Sequence, residues 1–134
     1  MTGAESAYLA ARVLSCGIWI AAGWYKAKHF NKTVGEMIHH GIPFPRFVLP
    51  WVLALEFVGS AMLILDYYAW LAALAWIVFT VPASIIYHLR FMVREGTIDF
   101  VQFLLFWKNV SISGGLIALI LLDASRPAWL FPVS

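Results

Sequence analysis

The chain carries a single cysteine in 134 residues, Cys16, and it lies inside an apolar run. With no partner in the chain, an intramolecular disulfide and Cys-x-x-Cys dithiol chemistry are both excluded. Charge is scarce as well: Asp, Glu, Lys and Arg make up 12% of the sequence, against about 25% in a soluble domain. The 9 basic residues form no run along one helical face, so a net charge of +2 does not describe a nucleic-acid binder. No Walker loop, dinucleotide fingerprint or nucleophile elbow occurs, and no internal repeat or low-complexity tract is visible. Glu36 and His39 form one Glu-x-x-His unit with His40 beside it. Carboxylate-bridged metal sites in bundles need two such units, so no metal site is expected. Haem is not expected either, because His88 has no second histidine at matching depth to complete an axial pair. A cleavable signal peptide is not expected, since Met1 to Ala7 lacks positive charge and Arg12 interrupts the apolar stretch that follows.

What the chain has in abundance is hydrophobic surface, with 63% hydrophobic residues and a mean hydropathy of +0.84. Crossing about 30 Å of hydrocarbon takes about 20 apolar residues in a helix, so four spans would use roughly 80 residues. Four apolar segments are present: Tyr8 to Tyr25, Phe47 to Leu65, Tyr68 to Leu89 and Phe100 to Leu122. The expected fold is therefore all-α, one integral membrane four-helix bundle spanning residues 1–134. Asp66 and Tyr67 alone separate the second and third spans, which forces an antiparallel hairpin. Asp99, three residues before Gln102, supplies an N-cap for the fourth span.

The first connection, Lys26 to Arg46, is longer. Thr33 and Glu36 stand at capping-box spacing, and Gly41 with Pro43 supplies a stop. Phe30, Val34, Met37, Ile38 and Ile42 recur at helical spacing, which predicts a short amphipathic helix in the membrane interface, a lid over one end of the bundle. Lys26, Lys28, Lys32, Arg46, Arg90 and Arg94 fall in the first and third connections, whereas the other side offers Arg126. The positive-inside bias then puts both termini outside the cytoplasm. Tyr8, Trp24, Tyr25, Trp51, Tyr67, Tyr68, Trp70, Tyr87 and Trp129 sit near predicted span ends, where aromatic rings anchor helices.

Ionisable residues inside a span need a partner or a purpose, because a charge at the bilayer centre costs about 2.5–3.5 kcal/mol on insertion scales. Counted from Phe47 and Phe100 at 1.5 Å per residue, Glu56 and Lys108 lie about 15 and 12 Å deep. They are expected to meet if their helices are neighbours. The pair, with Asn109, reads either as the polar centre of a substrate or proton site or as an interhelical salt bridge that sets register. Arg12 is expected to reach a headgroup layer or an acidic partner. Pro82 frees the carbonyl of Val78 and predicts a kink, with Thr80 or Ser84 helping to satisfy the backbone. Gly17 with Ala21, Ala69 with Ala73, and Ser111 with Gly115 have the small-xxx-small spacing that permits close helix approach.

The order and spacing of several features carry a resemblance. Tyr25-Lys26 closes the first span, Gly41-Ile42-Pro43 lies in the loop, Leu55-Glu56-Phe57-Val58-Gly59 in the second span, His88 ends the third, and Lys108-Asn109 with Gly114-Gly115 occupies the fourth. From Tyr8 to Leu122 the chain resembles the DoxX-like family of small four-helix membrane proteins. That resemblance implies a multi-pass prokaryotic inner-membrane protein with a redox-linked role, alongside quinone-linked complexes. Its implied polar site residues are Lys26, Glu56, His88, Lys108 and Asn109. Two functions follow as expectations. The first is an accessory or assembly subunit of a quinone-linked membrane oxidoreductase, with no cofactor bound by this chain alone and with other membrane subunits or further copies as partners. In the second, the bundle itself binds a quinone or small solute at Glu56 and Lys108 and takes part in electron, proton or solute transfer.

Overall fold

The computed structural model describes residues 1–130. Five helices run in the order α1 (Gly3–Lys28), α2 (Phe30–His39), α3 (Pro45–Ile64), α4 (Ala69–Tyr87) and α5 (Phe100–Leu122). Four of them, α1, α3, α4 and α5, are long and apolar enough to cross a membrane, in agreement with the all-α four-span expectation. α1 starts earlier than its apolar run because Thr2 and Glu5 form a reciprocal capping box around its first turn. α5 begins as expected, with Asp99 Oδ1 accepting from the amides of Val101 and Gln102.

The predicted interfacial helix is present, but the capping box assigned to it is not. α2 starts at Phe30, so Thr33 lies within the helix and its hydroxyl donates to the carbonyl of His29 at 2.9 Å. His29 both ends α1 and begins α2, and this single-residue joint leaves no room for a separate cap. The stop is where Gly41 and Pro43 predict it. Gly41 takes φ +79°, a conformation that favours glycine, and the Ile42 amide reaches back to Met37. Thr33, Val34 and Met37 form the buried face of α2, and Val34 and Met37 pack with Leu49 of α3. Between α4 and α5, a 3-10 turn at Leu89–Phe91 leads into a two-stranded hairpin, β1 (Val93–Arg94) and β2 (Thr97–Ile98). Glu95 and Gly96 at its tip both have positive φ, the signature of a tight hairpin turn.

The spanning helices form a curled row, α1 beside α3, α3 beside α4, and α4 beside α5, with the seam between α1 and α5 thin. The main core fills the half of the bundle nearer the termini: Cys16 and Trp19 of α1, Leu63 of α3, Ala73 and Trp76 of α4, and Leu116 and Ile120 of α5. Trp19 stacks on Trp76 at 4.5 Å, and Trp76 Nε1 donates to the carbonyl of Leu55. Gly59 makes this packing possible, because a Cβ there would come 2.7 Å from Trp76 Nε1.

At the same end Arg12 is buried and donates to the carbonyls of Leu63 and Ile64 at 3.1 and 3.2 Å, with Asp66 at 3.7 Å. A cation is thus set on the C-terminus of α3, where orphan carbonyls favour it. The acidic partner expected for Arg12 is Asp66. Asp123, buried after α5, accepts from the Trp70 amide at 2.8 Å and so caps α4, whose own N-cap, Tyr68, makes no side-chain bond. Neither hydroxyl expected to help behind Pro82 bonds the freed Val78 carbonyl. Ser84 donates to the carbonyl of Thr80, and the Thr80 hydroxyl has no partner among the described residues.

Candidate intramembrane binding site

Toward α2 the bundle is hollow. A cavity of about 590 Å³ is walled by α1, α3, α4 and α5 and covered by α2 through Thr33, Glu36 and Met37. Lys26, Glu56, His88, Lys108 and Asn109 all line it. The residues singled out in the sequence thus share one space, although they are paired differently from the expectation.

Glu56 does not pair with Lys108. Its Oε1 accepts from Lys26 Nζ, at the last turn of α1. The reason is the order of the helices: α3 packs against α1 and α4, while α5 packs on the far side of α4. Lys108 therefore faces Glu56 across the cavity and makes no ion pair among the described residues. Glu56 is 1% exposed, and its neighbour Gly23 allows α1 to come close, since a Cβ there would lie 3.2 Å from Glu56 Oε2. Lys26 also stands 5.9 Å from the Phe79 ring, so one ammonium ties together α1, α3 and α4. His88 is held at the cavity edge by a 2.8 Å hydrogen bond between its Nδ1 and Gln102 Oε1. At the lid, Lys32 donates to the Tyr25 hydroxyl at 3.1 Å, and this bond raises its pKa above the ordinary lysine value.

Three buried polar atoms of residues that line the cavity have no partner among the described residues: Trp19 Nε1, Glu56 Oε2 and Thr80 Oγ1. Buried polar groups are hydrogen-bonded in the great majority of cases, so these three are exceptions, and Glu56 Oε2 sits against α1 at Gly23. The set contains a donor, an acceptor and a hydroxyl that can be either. Trp19 was not singled out in the sequence, and Thr80 was named there only as a backbone partner beside Pro82. An indole or hydroxyl in an apolar helix is ordinarily an anchor or a backbone-bonded group, and no local spacing distinguishes these two.

The arrangement defines a small four-span membrane protein with an amphipathic helix over a largely apolar intramembrane cavity that carries a few charged side chains. The chain belongs to the DoxX family, whose model matches residues 7–89. That match covers Lys26, Glu56 and His88 and stops before α5, so Lys108 and Asn109 lie beyond it, although the resemblance read from the sequence extended to Leu122. The chain is similar to the Escherichia coli inner membrane protein YqjF, 35% identical over 111 residues, which is 83% of this chain and 79% of that protein. It is also similar to the inner membrane protein YphA of the same organism, at 28% identity over 111 residues with the same coverage of both chains. No solved structure matches it. The chain is thus a multi-pass inner-membrane protein of the DoxX family, embedded in the lipid bilayer.

Proposed function

We propose that the bundle binds a quinone, or a solute of similar size and polarity, in the cavity between the Lys26–Glu56 pair and Lys108. In this reading it works within a membrane oxidoreductase complex whose other subunits deliver or remove electrons. The observation that carries the proposal is the cavity of about 590 Å³ within the apolar bundle, whose lining brings the Lys26–Glu56 ion pair together with Lys108, Asn109 and His88.

The residues suit such a group. A quinone has two carbonyl acceptors, which Lys108 Nζ and the side-chain amide of Asn109 can serve as donors. When bound, a quinone supplies two-electron, two-proton redox chemistry, and the chain supplies orientation and charge. Lys26 compensates the buried Glu56 carboxylate, Lys108 adds one positive charge to the wall, and α2 keeps bulk water from the cavity. An assembly role alongside binding is favoured by Gly17 of α1 and Gly114 of α5, where no atom lies within 4 Å of an added Cβ. The topology with both termini outside belongs to the same proposal, supported by the clustering of Lys28, Lys32, Arg46, Arg90 and Arg94 at the lid end.

Gentle purification from the native membrane, followed by extraction of bound quinone and identification of co-purifying chains, tests both parts. Quinone is expected with the wild-type protein and reduced with Glu56→Gln or Lys108→Met. A preparation that carries no quinone and binds no added quinone analogue sinks the binding proposal.

A further inference from the structure

The cavity has a second feature that its polar wall does not explain. A separate hollow of about 270 Å³ lies along the seam between α1 and α5, lined by Leu14, Ser15, Ile18, Ile112, Gly115 and Leu116. Ile18 and Ile112 also line the larger cavity, so the two spaces adjoin across these side chains. We propose that the cavity opens sideways to the bilayer through this seam and takes a chain-bearing amphiphile, its polar head beside Lys108 and its hydrocarbon chain in the seam hollow.

This inference rests on the binding reading above and narrows its ligand from any solute of suitable size to one that lives in the membrane. Four observations carry it. The aqueous end is covered, because α2 buries Thr33, Val34 and Met37 and packs on Leu49 of α3. The opposite end is closed by the core around Trp19, Trp76 and Ile120. The seam is the thin contact in the ring of helices, and Lys108 stands exposed beside it.

Charge is confined to the inner end of the path: Lys26, Glu56 and Lys108 line the cavity, whereas the seam hollow is lined by Ser15 and uncharged residues alone. From Lys108 to Leu116 the α5 backbone rises about 12 Å at 1.5 Å per residue, all within an apolar spanning helix. A water-soluble solute would have to cross hydrocarbon to use this route, whereas a lipid-like molecule already lies there. Gly115 leaves the hollow open, since nothing lies within 4 Å of a Cβ built on it. Because that space is empty, a larger side chain at 115 fills the path without pressing on the core.

The test compares two probes on the full chain in detergent. One is a fully substituted benzoquinone with a decyl chain, and the other is the same ring with a methyl group in its place. The wild type is expected to bind the decyl probe more tightly. Gly115→Phe is expected to weaken the decyl probe about tenfold, within the range of overpacking costs, and to leave the methyl probe unchanged. Equal affinity of the two probes for the wild type, or decyl binding unaffected by Gly115→Phe, overturns the inference while leaving the binding reading intact.

A second measurement separates the other failure. A fatty acid with a terminal diazirine is photolysed in the wild type, and the labelled residues are mapped. Labelling of Leu116, which is 2% exposed in the empty bundle, is expected and should disappear in Gly115→Phe. If neither quinone binds yet Leu116 is labelled, the seam proposal stands and the quinone reading fails. Labelling confined to outward-facing side chains overturns the seam.

Discussion

Removing the Lys26 ammonium tests the site's electrostatics, and the structure makes its consequence unequal to removing Glu56. In Lys26→Met the carboxylate stays where it is, 1% exposed, with Oε2 already unpartnered and Oε1 newly so. Orphaning one member of a buried pair costs about 3–5 kcal/mol. In Glu56→Gln the survivor is Lys26, whose side chain is 27% exposed at the end of α1 and can swing toward the headgroups. The expected loss there is smaller, about 1.5–3 kcal/mol, the worth of a hydrogen bond to a charged group. The double variant should recover much of the larger loss and give a coupling energy of about 2 kcal/mol, because no orphan charge remains. Lys108→Met, combined with Glu56→Gln, should be additive within about 0.5 kcal/mol, since the two residues face each other across the cavity without pairing. Equilibrium unfolding in mixed SDS and mild-detergent micelles, followed by circular dichroism, reads all of these. If Lys26→Met costs no more than Lys108→Met, or if Glu56 couples to Lys108 and not to Lys26, the helix arrangement described here is refuted.

Three further outcomes follow from the packing. Gly59→Ala gains about 1 kcal/mol of helix propensity, but its methyl meets the fully buried Trp76 ring, so overpacking of about 1–3 kcal/mol and a weakened Trp76–Leu55 hydrogen bond make the net change destabilising. Gly115→Ala, with open space around it, is the matched control and should be neutral or stabilising; equal effects at the two glycines would contradict the tight α3–α4 contact. Asp123→Ala should destabilise by about 1–2 kcal/mol, as loss of an N-cap does, and hydrogen exchange at the Trp70 amide should accelerate; an unchanged Trp70 amide would show that Asp123 does not cap α4. A reporter active only outside the cytoplasm should work after Ser134 and fail when inserted at Gly35 or Gly96, and the reverse pattern would put the lid helix on the outer surface.

Much of this protein was legible in the linear chain because the bilayer is a simple solvent. It requires long apolar runs and satisfied backbones, so span number, the Asp66–Tyr67 hairpin, the Asp99 cap and the amphipathic α2 all follow from local pattern and spacing. An ionisable residue in such a run is conspicuous, and that is why Lys26, Glu56, His88 and Lys108 could be marked without knowing where they point. The order of the helices decided the rest. Depth along a helix can be counted from its end, but rotation and neighbour cannot, and so Glu56 and Lys108, well matched in depth, lie across a cavity while Lys26 takes the carboxylate. The same reason hides Trp19 and Asp123, whose roles depend on groups from distant spans converging. It also hides the seam: that α1 and α5 leave a hollow between them is a property of four helices packed in one particular ring, and no residue in either helix announces it.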